Sequence, residues 1–207
     1  MKISRLLIAP VAVLAVGLSA CGSDSDGTVD ANTLIGLQRE DSLQVGDVSL
    51  PDETTGATGT FTTKAADGEL LMVYFGYLNC PDLCPTTLAD LKMAKKRIGA
   101  AADVVDIAFI TVDPERDTGD KMNKYLSSFS DRFHALRTTD INELKVAEDK
   151  FLAVSRVIKN DDGSIDVEHT ASAYIVDSNG VVIDEWPFGI GSDGMEHDLW
   201  ILLKGLK

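Results

Sequence analysis

The sequence predicts an α/β domain in which a central mixed sheet is flanked by helices. A continuous apolar run at 70–75 has the length and composition of a central strand that is covered on both faces, and 104–112 is predicted as a second central strand. Apolar residues at helical spacing follow each run, and two hairpin signals precede a last helical pattern. Each predicted element is justified below in chain order.

The segment before the first apolar run is weakly patterned. Residues 32–69 are rich in Gly, Thr and Asp. Short apolar pieces within it stand at 34–37, 45–50 and 60–62. They predict weak strands or hairpins.

Helical spacing of apolar residues predicts four helices. The first follows a loop at 76–85, with Pro85 in its first turn and cations at its carboxyl end. Its apolar positions are Leu88, Leu91, Ala94 and Ile98. The other three are predicted at about 121–129, 141–154 and 195–206.

Two turn signals predict hairpins in the carboxyl-terminal half. Asp161-Asp162-Gly163 joins two short strands within 155–168, and Asp177-Ser178-Asn179-Gly180 joins strands at 173–176 and 181–185. The complete order is strand, helix, strand, helix, then a hairpin and a helix. That order predicts a thioredoxin-like domain.

The amino terminus has the features of an export signal. Lys2 and Arg5 precede an apolar run at 6–18, which is shorter than the ~20 residues that span a bilayer. Leu18-Ser19-Ala20-Cys21 follows and resembles a bacterial lipobox, which implies cleavage before Cys21 and lipidation of that residue. The alternatives are a transmembrane anchor, or a cleaved signal with an incidental cysteine.

These features divide the chain into three parts and predict where it resides. A lipoprotein signal peptide spans 1–20, a lipidated amino terminus and tether spans 21–44, and the folded domain spans 45–207. We therefore expect an extracytoplasmic protein held at the bacterial cell membrane by Cys21. The formal net charge of −14 argues against a nucleic-acid partner, because such partners reward clustered Lys and Arg.

With Cys21 assigned to lipid, Cys80 and Cys84 form the remaining cysteine pair. A bridge across so short a loop adds little stability, so the pair indicates chemistry rather than a structural disulfide. The pair lies between a strand and a helix, where Cys84 is predicted at the helix cap and amide dipoles favour a thiolate. Both sulfurs then face one space, where they can close a disulfide or hold one metal ion.

A third ligand decides between these uses. Two thiolates are too few for a closed zinc site or an iron–sulfur cluster, whereas thiolates with an imidazole suit copper. His169 is the best-placed histidine, because it precedes the strand at 173–176 whose entry loop faces the redox loop of a thioredoxin-like fold. Its position alone fits a ligand or a structural residue. His134 and His197 are interpreted as surface or packing residues.

Three motifs together resemble the Sco/SenC family of copper proteins. They are Phe-Gly-Tyr-Leu-Asn-Cys-Pro-Asp-Leu-Cys-Pro at 75–85, Val-Asp-Pro-Glu-Arg-Asp-Thr at 112–118 and Glu-His-Thr at 168–170. The resemblance implies a thioredoxin fold that binds one copper ion per chain through Cys80, Cys84 and His169. It also implies assembly of the dinuclear copper centre of cytochrome c oxidase, by copper donation, thiol–disulfide reduction or both.

The implied partner is the copper-centre subunit of the oxidase, or another copper or thiol protein, and the chain is expected to act as a monomer. The alternatives are an extracytoplasmic thiol–disulfide reductase or a thiol peroxidase with no role in copper delivery. A structural disulfide in a binding domain is a further alternative. His169 separates these hypotheses, because copper binding needs it and thiol chemistry alone does not.

Several other residues carry predictions of their own. Asp117 is interpreted as the cap of the following helix. The alternative, for Asp117 and for Asp113, is a carboxylate near the copper site. Arg116 is expected to pair with an acidic neighbour, and Glu168 stands where many family members have Asp. The remaining interpretations concern packing: Met72, Met93 and Met122 in the core, and Trp186 and Phe188 in packing or a docking face.

Overall fold

The computed structural model describes residues 32–206. The predicted signal peptide, Cys21 and the tether up to residue 31 lie outside the described residues, so these remain predictions. The strands are β1 (Ser49–Pro51), β2 (Thr60–Thr62), β3 (Leu70–Gly76), β4 (Val105–Thr111), β5 (Phe133–Leu136), β6 (Ser155–Lys159), β7 (Ile165–His169), β8 (Ala173–Val176) and β9 (Val182–Trp186). The helices are α1 (Leu83–Ile98), α2 (Gly119–Leu126), α3 (Ile141–Phe151) and α4 (Gly191–Gly205).

A five-stranded mixed sheet forms the centre, in the order β5-β4-β3-β8-β9. Strands β3, β4 and β5 are parallel, while β8 pairs antiparallel with both β3 and β9. The register runs from Leu70 beside Val105 to Gly76 beside Thr111. The carboxyl ends of β3 and β4 therefore lie side by side, so the loops that follow these two strands share one edge of the sheet.

Alternate residues of β3 serve two different cores, as expected of a strand covered on both faces. Leu70, Met72 and Tyr74 belong to one buried cluster with residues of α1, α2 and α4. Leu71, Val73 and Phe75 belong to the other, with residues of α3. Helices cover both faces of the sheet, and the predicted thioredoxin-like α/β fold is confirmed.

Both predicted hairpins are present, as β6–β7 and β8–β9. The sequence missed β5, an edge strand of four residues that pairs parallel with β4. Its sequence, Phe-His-Ala-Leu, does not alternate between polar and apolar residues. Its strand conformation therefore comes from pairing with β4 and not from a pattern in its own sequence. Predicted helix ends shifted by a few residues: α3 stops at Phe151 because Leu152 adopts a left-handed backbone with φ of 53°.

Met72 and Met122 are buried in the core as predicted, but the prediction for Met93 is wrong. Met93 lies on the outer face of α1 and is 44% exposed. Trp186 is buried and packs in the core, whereas Phe188 is exposed. Within residues 32–206, no helix combines the length and apolarity needed to span a membrane.

An N-terminal strap, residues 35–39, crosses the edge of the sheet at β9. The Leu37 backbone exchanges two hydrogen bonds with Glu185, and the Arg39 side chain pairs with the Glu185 carboxylate at 2.6 Å. The strap also donates the Ile35 and Gly36 amides to the buried Asp198 of α4, at 2.7 and 2.9 Å. These bonds tie the start of the domain to α4 and β9.

Candidate metal centre

The two cysteines lie in the loop after β3 and in the first turn of α1. Asp82 is the N-cap of α1, so the prediction that Cys84 occupies the cap is wrong by two residues. Pro85 lies in the first turn as predicted, where its missing N–H costs no hydrogen bond. The Cys84 amide donates to Cys80 Sγ at 3.3 Å, so one free N–H group of the helix start points at that sulfur.

His169 reaches the same place from the opposite side, at the end of β7. Its Nε2 lies 3.7 Å from Cys84 Sγ. One ligand atom from each of Cys80, Cys84 and His169 lies within 4.8 Å of the other two. Cys80 and Cys84 are free thiols, and both are buried. The structure thus brings the three sequence-predicted site residues together, across 85 positions of sequence between Cys84 and His169.

The His169 ring is held in an orientation that presents Nε2 to the sulfurs. Its Nδ1 donates to the Thr170 carbonyl at 2.9 Å, so a neutral ring carries its lone pair on Nε2. Burial lowers the pKa of His169, which favours the neutral form that binds metals. Tyr77 and Tyr74 each present an edge-on contact to the ring, with centroids 5.7 and 6.2 Å away. These contacts fix the plane of the imidazole.

Gly76 provides the space for Cys84. A Cβ atom at this position would come within 2.9 Å of the Phe109 ring and 3.0 Å of Cys84 Sγ. Cβ atoms in proteins essentially never approach another heavy atom as closely as the 2.9 Å to the ring. The absence of a side chain at the end of β3 therefore lets the sulfur pack directly against the sheet.

Burial raises the pKa of the Cys84 thiol above its ordinary value, with smaller effects from the neighbouring Cys80. The sequence predicted the opposite, because a helix start lowers thiol pKa values when the sulfur is accessible. Cys84 is fully buried, and the cost of removing a thiolate from water exceeds the benefit of the helix dipole. A metal that binds this sulfur must displace its proton, so binding releases a proton.

The prediction that Asp117 caps α2 is also wrong. Thr118 occupies the N-cap position of α2, and Asp117 is buried beside the cysteine loop. Asp113 forms an ion pair with Arg116, as expected for Arg116. Glu168 is exposed on β7 and points away from the buried sulfurs, whereas its neighbour His169 faces them.

The other two histidines are structural, as interpreted from the sequence. His134 stacks on Phe61 with ring centroids 3.5 Å apart, and its Nδ1 lies 2.8 Å from Asp52. His197 lies on α4, where its Nδ1 is 3.0 Å from Asp198. Neither belongs to the group formed by the two cysteines and His169.

Comparison with known proteins places this arrangement in a family. A family model described as SCO1/SenC matches residues 44–202. The chain belongs to the SCO1/SenC family. An SCO2-like protein of Rickettsia prowazekii is 33% identical over 145 residues, which are 68% of each chain. The resemblance that the three motifs suggested is confirmed.

Solved structures support the same relationship for this SCO1/SenC chain. Bradyrhizobium japonicum ScoI with copper bound is 30% identical, with a TM-score of 0.62 over 77% of this chain and 96% of that one. Yeast Sco1 with copper bound is 25% identical, with a TM-score of 0.62 over 83% and 88% of the respective chains.

The donor set of this SCO1/SenC chain fits a soft metal ion. The two thiol sulfurs match the ligand preference of Cu(I). The imidazole nitrogen is a ligand that also suits Cu(II). Metal–sulfur bonds of about 2.3 Å and metal–nitrogen bonds of about 2.0 Å keep ligand atoms within roughly 4.6 Å of one another. The observed group, whose ligand atoms all lie within 4.8 Å of one another, is compact enough to hold one ion after a modest contraction.

Sequence reasoning missed the residues that support this group. Gly76 was predicted only as the first residue of the loop at 76–85, and the sequence predicted no role for the tyrosines. Gly76 directly precedes the cysteine loop on a fully buried strand, and a glycine there is the signal that close packing was needed. Tyr74 lies on the same apolar strand, and its hydroxyl, a polar group within an apolar run, was the available signal.

Proposed function

We propose that this protein binds one copper ion through Cys80, Cys84 and His169 and serves the assembly of the dinuclear copper centre of cytochrome c oxidase. The observation that carries the proposal is the placement of His169 Nε2, 3.7 Å from Cys84 Sγ with its other ring nitrogen occupied by Thr170. A protein that used the cysteines alone would not need an imidazole held in this tautomer. The copper-bound structures of bacterial and yeast relatives support the same cargo.

Each side chain has a defined task in copper transfer. Cys80 and Cys84 give up their protons as they bind the cargo, and His169 contributes its Nε2 lone pair without losing a proton. Three ligands leave a coordination position open to a donor from the target, so transfer can proceed by exchange of one ligand at a time. Cys80 is 8% exposed while Cys84 is fully buried, so we expect the Cys80 sulfur to be the first to release the cargo.

The same two thiols also support reduction of a target disulfide. The Cys80 thiolate attacks one target sulfur, which forms a mixed disulfide and releases the other target sulfur as a thiolate. Cys84 then loses its proton and attacks Cys80 Sγ, which forms the Cys80–Cys84 disulfide and releases the second target thiolate. Two electrons pass from the protein to the target. The oxidised protein no longer holds two thiolates for copper, so the two activities exclude each other in one molecule.

The second candidate function is thiol–disulfide exchange without copper delivery. The hydrogen bond from the Cys84 amide to Cys80 Sγ favours it, because this bond stabilises a Cys80 thiolate as the attacking group. This candidate gives no task to His169. For either function we propose that the domain acts outside the cytoplasm, anchored through a lipidated Cys21, and that its partner is the oxidase copper-centre subunit.

Copper transfer to the soluble domain of that subunit tests the proposal. We expect the copper-loaded protein to generate the absorption spectrum of the dinuclear centre in a target with reduced thiols. The Cys84→Ser and His169→Ala variants, treated with copper in the same way, should produce at most a tenth of that yield. His197→Gln is the control, because His197 lies outside the centre. If the wild type only reduces an oxidised target and never delivers metal, the reductase candidate replaces copper delivery.

A further inference from the structure

The carboxylate of Asp117, which was predicted to cap α2, attaches the cysteine loop to the sheet. Asp117 is fully buried. Its Oδ2 accepts a hydrogen bond from the Leu78 amide at 3.1 Å and another from the Thr111 hydroxyl at 2.7 Å. Leu78 lies two residues before Cys80, and Thr111 is the last residue of β4. One carboxylate oxygen thus joins the cysteine loop to the end of a central strand.

Within residues 32–206, the Val112 amide donates to the Gly76 carbonyl at the base of the loop, and the other hydrogen bonds of the loop are local. The Cys80 amide donates to the Tyr77 carbonyl at 3.3 Å, and the Cys84 amide donates to Cys80 Sγ, also at 3.3 Å. These bonds shape the loop, but they connect it only to itself and to the start of α1. The bond to Asp117 fixes the position of the loop relative to the sheet, and therefore relative to the rest of the centre.

The second oxygen of Asp117 has no structural task. Its Oδ1 is buried and has no hydrogen-bond partner among residues 32–206, and the same holds for the Tyr125 hydroxyl. The pKa of Tyr125 is raised by burial first, and then by the nearby Cys84, Cys80 and Asp117. These groups therefore share one buried region. A carboxylate that is only half satisfied costs stability, so packing alone does not account for Asp117.

We propose that Asp117 is a positioning residue of the metal centre, which holds the Cys80 loop so that both sulfurs and His169 Nε2 reach one ion. The inference rests on the proposed copper binding for its main readout. The positioning role requires a hydrogen-bond acceptor at the Oδ2 position of Asp117 but no negative charge, because its two donors are a neutral amide and a hydroxyl. An amide oxygen of the same reach can fill that role.

Variants at this position separate positioning from simple packing. Asp117→Ala removes the acceptor and should weaken Cu(I) binding at least tenfold in a chelator competition, with a shifted Cu(II)–thiolate absorption band. Asp117→Asn keeps an acceptor of the same length and should stay within about threefold of wild type. Asp113→Ala is the matched control. It removes another buried carboxylate from the segment between β4 and α2, one that pairs with Arg116, and it leaves the hydrogen bond of the Leu78 amide in place.

Three results would overturn the proposal. One is an Asp117→Ala protein that binds copper like Asp113→Ala with an unchanged spectrum, and another is an Asp117→Asn protein as impaired as Asp117→Ala. If Asp117→Ala does not fold, Thr111→Val tests the same link by removing one donor. It should weaken copper binding by about threefold, and no change there is the third contrary result.

A metal-free readout distinguishes failure of this inference from failure of the proposed function. In the reduced protein, loss of the Asp117 link should release the loop and expose Cys80, so Asp117→Ala should react with iodoacetamide at least tenfold faster than wild type. Asp117→Asn and Asp113→Ala should react at about the wild-type rate. A wild-type protein that binds no copper defeats the proposed function, whereas equal alkylation rates in all four proteins defeat the positioning role.

Discussion

Two buried clusters of ionisable groups, one beneath the N-terminal strap and one around the cysteine loop, differ in how their polar atoms are satisfied. Beneath the N-terminal strap, the Asp198 carboxylate accepts from the Ile35 and Gly36 amides and from Trp186 Nε1. Asp184 beside it accepts from the Gln38 side chain, the Glu185 amide and the same indole. Each carboxylate has several donors, as expected where burial serves only stability.

The candidate metal centre buries a similar set of groups and leaves several open. Among the described residues, the hydroxyls of Tyr74 and Tyr125 and the Oδ1 of Asp117 have no hydrogen-bond partner. The His169 Nε2 and the Cys84 sulfur face each other at a distance too long for a strong bond. Between these two clusters, the one whose polar atoms are fully satisfied serves stability, whereas the one with open polar atoms around soft donor atoms is the candidate site of chemistry.

The largest effect that would sharpen this contrast is expected at Gly76. In Gly76→Ala the new Cβ presses on the Phe109 ring and on Cys84 Sγ, so the free energy of unfolding should fall by about 2 kcal/mol. Because the sulfur must shift, copper affinity should fall about tenfold as well. Denaturant unfolding and chelator competition measure the two effects.

Gly205→Ala is the control for this substitution, because a Cβ at the end of α4 meets no atom within 4 Å. It should leave copper affinity unchanged and should not lower the free energy of unfolding. A Gly76→Ala protein with wild-type copper affinity would show that the sulfur does not depend on contact with the sheet.

A smaller effect is expected from pH in the carboxylate cluster. Burial, and then the neighbouring Asp198, raises the pKa of Asp184 from 3.8 to about 7. Because the folded-state pKa lies above the unfolded one, this contribution to stability is present in full below pH 4 and is lost as pH rises through 7. Donors from Gln38 and Trp186 limit the loss, because they stabilise the ionised form.

Asp184→Asn imitates the protonated carboxyl and removes this titration. Relative to the variant, the free energy of unfolding of the wild type should fall by about 1 kcal/mol between pH 5 and pH 7. Chemical denaturation at a series of pH values measures the difference. Parallel pH profiles for the two proteins would mean that burial does not raise the pKa of Asp184.

The central features of the fold were predictable because they rest on local patterns. The run that became β3 is apolar throughout and the run that became β4 is apolar apart from Asp106 and Thr111, while the turn at 177–180 joins two strands of clear β-propensity. Strand β5 and the strap were not predictable, because their conformation comes from pairing with β4 and Glu185 rather than from their own residues.

The candidate site was predictable in its donors and not in its surroundings. Cys80 and Cys84 are close in sequence and their spacing carries the signal, whereas His169 needed the family resemblance. The burial that raises the pKa of Cys84 depends on helices and strands far away in the chain, so the helix start alone gave the wrong direction. Asp117 was misassigned because capping is a local rule and its actual partners, Leu78 and Thr111, meet it only through the register of β3 and β4.

The most direct test of the metal centre is a Cu(I) titration of the reduced wild type beside His169→Ala, followed by the absorption spectrum after oxidation to Cu(II). We expect one copper ion per wild-type chain, at least tenfold weaker binding in His169→Ala, and loss or displacement of the Cu(II)–thiolate band in that variant. Equal affinity and identical spectra would contradict the account, because the imidazole held 3.7 Å from Cys84 would then take no part in binding the metal.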